Sequence, residues 1–164
     1  MNSNIQTQQT YTILYHQVFA DILQNNITGE KSLHTTKAFT KGEVLCNFSG
    51  GTISSTPTYL TVQIDLNKHI TLQPEFLQYC NHSCNPNCFF NTSSFEFVAV
   101  KDIAIGDELT FFYPSSEWNM TQQFACTCGS KNCLQTIKGA AYLSKEILSN
   151  YKLTDFIQSM LEKQ

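Results

Sequence analysis

The sequence predicts a mainly β globular domain, and three observations carry that expectation. Apolar residues make up 41% and charged residues 14% of the chain, with twelve Phe and seven Tyr, which suits a packed β-rich core and not a disordered or coiled-coil chain. Short runs of alternating or β-branched and aromatic residues recur between turn formers, as at Tyr59–Asp65 and Phe95–Val100. A chain of 164 residues forms one domain that buries about two-thirds of its unfolded surface.

Taken in order, residues 1–10 are polar and expected to fray. Thr10–Leu23 reads as one or two short strands ending at Asn25-Asn26, with His16 an edge or core-facing side chain. Gly29–Thr40 reads as a polar loop, Lys41-Gly42-Glu43 as a turn, and Val44–Phe48 as a strand with Cys46 as a small core residue. Ser49-Gly50-Gly51 is expected to break that strand, and Thr52–Ser54 to begin another. Tyr59–Asp65, the turn Leu66-Asn67-Lys68 and His69–Leu72 form a hairpin, with His69 solvated beside Lys68.

Pro74-Glu75 opens a short helical turn through Tyr79, since proline is tolerated in the first turn of a helix. Beyond it, Phe95–Val100 is a strand, Lys101–Glu108 a turn, and Leu109–Tyr113 a strand stopped by Pro114. Ser115–Gln123 is a polar connection carrying the only tryptophan, Trp118. Two amphipathic helices close the chain, one with Leu143, Ile147, Leu148 and Tyr151, the other with Phe156, Ile157, Met160 and Leu161. Ser144 and Thr154 are their N-caps, and both apolar stripes are expected to pack on the domain.

The net charge of −3 and the lack of a Lys/Arg cluster argue against nucleic acid as a partner, because nothing neutralises its phosphates. A basic peptide fits better. The amino terminus lacks the basic start and apolar run of a signal peptide, and no apolar stretch is long enough to span a bilayer. The expected setting is soluble and intracellular, with no membrane partner.

Seven cysteines is an odd number, and in a reducing compartment their clustering points to metal rather than disulfides. Cys126, Cys128 and Cys133 form a Cys-x-Cys-x4-Cys array turned by Gly129 and Ser130. Three such thiolates wrap one face of a tetrahedral Zn²⁺, which needs a fourth ligand. Cys80, Cys84 and Cys88 are the candidates. They flank or lie within Asn81-His82-Ser83-Cys84-Asn85-Pro86-Asn87, a polar, turn-forming stretch that burial of apolar surface does not explain.

That stretch, followed by Gly106-Asp-Glu-Leu-Thr-Phe-Phe-Tyr113 and then by the cysteine array, resembles the SET-domain protein lysine methyltransferases with a post-SET zinc segment. The likeness covers roughly residues 28–135 and extends more weakly to Lys41-Gly-Glu-Val-Leu and Tyr59-Leu60. It implies small sheets in which the chain threads through a loop and brings the two motifs together. It also implies S-adenosylmethionine as cofactor, contacted by Asn81, His82, Tyr113 and the Lys31-Ser32-Leu33 segment. Cys84 becomes the fourth zinc ligand, with Cys126, Cys128 and Cys133. Tyr113 matches the catalytic tyrosine; Phe111 matches a position where Phe implies room for di- or trimethylation, and Tyr59 is a candidate wall of the lysine channel.

Three residues depart from the family pattern. Glu30 and Ser32 stand where a Gly-x-Gly is usual, and Phe112 stands where an Asp precedes the catalytic Tyr. The expected organisation is amino-terminal strands over 1–27 within the same domain, a SET core over 28–114, a post-SET zinc segment over 115–137 and terminal helices over 138–164. The expected function is methyl transfer to a lysine of a protein or peptide. The alternatives are a zinc-stabilised binding module that has lost catalysis, favoured by the absent Gly-x-Gly, and a methyltransferase for a small molecule or peptide product, which the short insert before His69 permits.

Overall fold

The computed structural model describes residues 10–163, so the fraying expected before Thr10 lies outside the described residues. In chain order the strands are β1 (Tyr11–His16), β2 (Ala20–Asn25), β3 (Lys31–Thr35), β4 (Val44–Asn47), β5 (Ser49–Ser54), β6 (Thr61–Asp65) and β7 (Lys68–Gln73). Then follow β8 (Asn81–His82), β9 (Cys88–Asn91), β10 (Glu96–Ala99), β11 (Thr110–Phe111), β12 (Phe124–Ala125) and β13 (Thr136–Ile137). They form four small sheets, ordered β1-β2-β3, β5-β7-β6, β4-β10-β9-β11-β8 and β12-β13. The helices are short, α1 (Lys145–Leu148) and α2 (Asp155–Glu162). The mainly β expectation holds.

Phenylalanine builds the central core. Phe90 stacks on Phe97 with ring centres 4.4 Å apart, and Phe111 meets Phe90 edge-on at 4.8 Å, the offset and T-shaped geometries that aromatic quadrupoles favour. A second apolar cluster joins Phe112, Leu148 and Ile157 with the half-buried Tyr151 and Leu161. Both terminal helices start as expected: Ser144 Oγ accepts from Ile147 N–H and Thr154 Oγ1 from Ile157 N–H. The helices pack on the domain rather than standing free.

Four local expectations need correction. Residues 31–35 are not loop but strand β3. Its edges are paired on both sides, with β2 through Ile22 opposite Leu33 and with the chain at Leu109, whose N–H donates to Leu33 O at 2.7 Å. Pairing overrides a weak local strand signal. The sheet therefore runs across residues 27 and 28.

Gly50 and Gly51 do not break a strand; they lie inside β5, whose register against β7 is bulged and where side chains of β7 come close to both glycines. A Cβ on Gly51 would stand 2.6 Å from Thr71 Oγ1, the acceptor of Thr52 N–H. His69 is not solvated but buried, 4% exposed. Ser115, Ser116 and Glu117, expected in a polar connection, are buried as well.

The threading is visible in strand order. β8 and β9 are consecutive in sequence and joined by residues 83–87, yet β11 lies between them, parallel to both. Asn87 fastens the crossing: its Oδ1 accepts from Thr110 N–H at 2.8 Å and its Nδ2 donates to Glu108 O at 2.8 Å. One side-chain amide thus replaces a neighbouring strand for two backbone groups that would otherwise be unpaired.

Phe112 is 2% exposed and stacks on Tyr151 with ring centres 3.7 Å apart. An Asp here would leave a void against Tyr151 and place a carboxylate within an apolar cluster. We expect Phe112→Asp to cost on the order of 3 kcal/mol or more, read as a large drop in the thermal midpoint with detachment of α1 and α2.

Candidate active site and metal centre

The thiols of Cys84, Cys126, Cys128 and Cys133 lie within 4.8 Å of one another. Cys84 Sγ is 3.9 Å from Cys126 Sγ, close to the roughly 3.8 Å between sulfurs of a tetrahedral zinc with Zn–S bonds of 2.3 Å. The donor set is all sulfur and the ring of ligands is closed, as in a structural zinc site. Cys80 and Cys88 lie elsewhere in the core, and Cys80 Sγ donates to Leu109 O. Burial disfavours the Cys128 thiolate, but hydrogen bonds from the Ser130 side chain and from the Cys84 and Ser130 backbones outweigh it and lower its pKa to about 6. Burial instead holds Cys84 and Cys126 protonated, so metal binding there releases protons.

His82 ties this cluster to Tyr113. Its Nδ1 lies 3.2 Å from the Tyr113 N–H, a donor, so Nδ1 is the acceptor and Nε2 carries the hydrogen. Nε2 in turn lies 3.3 Å from Cys84 Sγ and donates to it. Burial lowers the His82 pKa to about 4, which keeps this tautomer neutral. A ligand held by a hydrogen bond from a neighbouring side chain is the usual outer support of a metal site. Phe124, two residues before Cys126, closes the group, its ring 5.7 Å from His82 and 5.9 Å from Tyr113.

Tyr113 follows β11 by two residues, opens a short 3-10 turn and lines a cavity of about 860 Å³ walled mainly by apolar atoms. Its hydroxyl makes a long 3.5 Å contact with Cys80 O. Burial, and then the nearby Cys80, Glu108 and Glu117, push its pKa far above the ordinary value, so it works as a neutral phenol. Phe111 shares the wall, its ring 4.7 Å from that of Tyr113. Tyr59 lines the same cavity and is 85% exposed. Glu117, Gln122 and Phe124 also line the cavity, with no Lys or Arg among the described lining residues.

The residues expected to meet a cofactor divide. Asn81 Nδ2 donates to Lys31 O and to Glu108 Oε1, both at 2.9 Å, which ties β8 to the start of β3 and to the second motif. Lys31 Nζ lies 5.4 Å from the centre of the Tyr79 ring. Ser32 and Leu33 face inward, and Leu33 is a core residue, so only their backbone is available to a ligand. None of Lys31, Ser32, Leu33, Asn81 or His82 lines the cavity beside Tyr113. Glu117 and Gln63 were missed from sequence, because a single acid in a polar run and a glutamine in a strand carry no motif.

A SET-domain family model matches residues 30–114. The chain belongs to the SET-domain family. The chain is 45% identical over 106 residues to methyltransferase flvH of Aspergillus flavus, covering 63% of this chain and 59% of that protein. It is 37% identical over 68 residues to an Aspergillus oryzae histone-lysine N-methyltransferase, H3 lysine-36 specific, covering 38% of this chain and 7% of that one. The matches thus span less than two-thirds of either relative. Among solved structures, the methyltransferase domain of human histone-lysine N-methyltransferase SETMAR superposes with a TM-score of 0.51 at 18% identity, over 71% of this chain and 56% of that one, a likeness of fold. No described helix of this SET protein is long and apolar enough to cross a membrane.

Proposed function

We propose that this SET-domain protein is an S-adenosylmethionine-dependent protein-lysine N-methyltransferase with a structural zinc on Cys84, Cys126, Cys128 and Cys133. The observation that carries the reading is the placement of Tyr113, a neutral phenol in an aromatic cavity that no Lys or Arg lines and that the threaded strands join to the thiol cluster. A cavity of this size, with one acid and no fixed cation, suits positively charged occupants. Residues 28–114 form the catalytic core in this reading, 115–137 the zinc segment and 138–164 its helical cover, built onto the strands before residue 27.

S-adenosylmethionine supplies an electrophilic methyl on a sulfonium. Asn81, His82 and the backbone of Lys31-Ser32-Leu33 are the proposed cofactor contacts, together with Tyr113. At the family's Gly-x-Gly positions, Ser32 is buried and hydrogen-bonds His34, and Glu30 is exposed. The acceptor amine must be neutral to react, and removing its proton at pH 7 costs about 4 to 5 kcal/mol for an ordinary lysine. Apolar walls at Phe111, Leu77 and Phe124 lower that cost by desolvating the ammonium. The Tyr113 oxygen accepts weak bonds from the polarised methyl and orients the amine.

Calorimetry of zinc-loaded protein with S-adenosylmethionine tests the reading. Saturable binding is expected; none by folded, zinc-loaded protein would favour a binding module without catalysis. Phe111→Tyr adds a hydroxyl against the Tyr113 ring, and mass spectrometry is expected to find products shifted from di- or trimethyl toward monomethyl. The exposure of Tyr59 favours a second reading, in which the acceptor is a small amine or a peptide product; the flvH relative, named only as a methyltransferase, does not distinguish the two.

A further inference from the structure

Glu117 is 8% exposed and lines the cavity with Phe111 and Tyr113. Its N–H donates to Tyr113 O at 3.0 Å, which sets it one turn beyond the tyrosine. Its Oε1 accepts from Gln63 N–H at 2.8 Å. The Gln63 side chain is itself fixed: Oε1 accepts from Trp118 N–H, and Nε2 donates to Asp65 O and Leu66 O. Oε2 of Glu117 lies 3.9 Å from His69 Nδ1, a buried atom with no hydrogen-bond partner. A buried carboxylate with no cation beside it is costly and persists where a ligand completes it.

We propose that Glu117 receives the cationic acceptor amine and takes its proton, so that the cavity selects substrates presenting a primary or secondary alkylammonium. The proposal deepens the methyltransferase reading and rests on it. The proton passes from R–NH3⁺ to the Glu117 carboxylate, leaving R–NH2 and a carboxylic acid whose Oε2 lies 3.9 Å from His69 Nδ1. The amine nitrogen then forms its bond to the sulfonium methyl as the S–CH3 bond breaks. That bond's electron pair stays on sulfur, giving a neutral thioether and R–NH2–CH3⁺. The acid returns its proton to solvent before the next turnover.

Burial raises the Glu117 pKa to about 7, with the Gln63 N–H opposing, which poises it as a base near neutrality. The other titratable groups facing it stay neutral: burial lowers the pKa of His69 and raises those of Tyr113 and Cys80. A carboxyl raised above its unfolded value favours the fold below about pH 4.5, and that contribution is lost as pH rises through about 7. Glu117→Gln keeps the acceptor for Gln63 N–H, so its thermal midpoint is expected to exceed wild type at pH 8 and to match it at pH 5. That comparison also reports whether the variant folds.

The test uses the zinc-loaded full chain with S-adenosylhomocysteine, two probes, and the fluorescence of the only tryptophan, Trp118. The probes are Nα-acetyl-lysine methylamide and Nα-acetyl-norleucine methylamide, which differ by the ammonium. Wild type is expected to prefer the lysine probe by about tenfold or more at pH 8, or ~1.4 kcal/mol, with the preference fading below pH 6. Glu117→Gln abolishes the preference and Glu117→Asp retains part of it. Equal affinity of wild type for the two probes, or an undiminished preference in Glu117→Gln, overturns the proposal. Methyl transfer with a pH profile indifferent to residue 117 also sinks it while leaving the proposed function standing; a residue-117-dependent preference without methyl transfer does the reverse.

Discussion

Replacing Cys84 with serine is expected to release zinc and to weaken cofactor binding together. In the proposed site the thiol is one of four ligands, so the loss of metal affinity should exceed the ~10–100-fold typical of changes in the outer shell. Structural zinc contributes on the order of 10 kcal/mol to folding, and its loss falls on the segment from Trp118 onward, which has few strands of its own. Residues 83–87 are held to that segment from the zinc side. Cys84 O accepts from Asn132 Nδ2 at 2.7 Å and from the Tyr151 hydroxyl at 2.8 Å, and Leu134 N–H points at Cys84 Sγ.

The same side chain holds His82, and His82 holds the backbone of Tyr113. Metal assay and calorimetry on Cys84→Ser are therefore expected to move together, with protease cutting beyond Trp118. Chelation of the wild type should reproduce both effects. A metal-depleted mutant with unchanged cofactor affinity would show the two sites to be independent.

Tyr113→Phe is expected to leave folding nearly intact and to lower methyl transfer by about 10²-fold or more, the scale on which a positioned polar group acts in a transition state. The hydroxyl makes only a long contact to Cys80 O, so its loss strands no strong partner and should cost little stability. Because burial keeps the phenol protonated, the rate should show no titration of Tyr113 below about pH 10. Binding of S-adenosylmethionine should change far less than turnover. A variant as active as wild type would remove Tyr113 from the chemistry.

The sequence was most legible where geometry demands particular residues. Asn87 had to be an amide with a donor and an acceptor to serve Glu108 O and Thr110 N–H, and the four thiols of Cys84, Cys126, Cys128 and Cys133 gather within 4.8 Å of one another. Motifs of that kind survive in any context, so the threaded strands and the thiol cluster were within reach of resemblance. Strand β3 was not, because its residues form a strand through pairing on both edges and not through their own preference.

Gly50 and Gly51 misled because glycine signals a turn, whereas here the missing Cβ admits β7. Buried polar groups were the hardest to see. Glu117, Gln63 and His69 are distant in sequence, and only the fold brings them beside Tyr113 and makes a cluster of them. Phe112 explains itself only against Tyr151, a residue of the terminal segment.

The most direct test of the central claim is mass spectrometry of host-cell lysate incubated with zinc-loaded protein and methyl-labelled S-adenosylmethionine, run in parallel with Tyr113→Phe. Label on lysine side chains of one or a few proteins, carried as di- or trimethyl groups and lost with Tyr113→Phe, is the predicted result. Absence of any labelled product from folded, zinc-loaded wild type, or equal labelling by wild type and Tyr113→Phe, would contradict it.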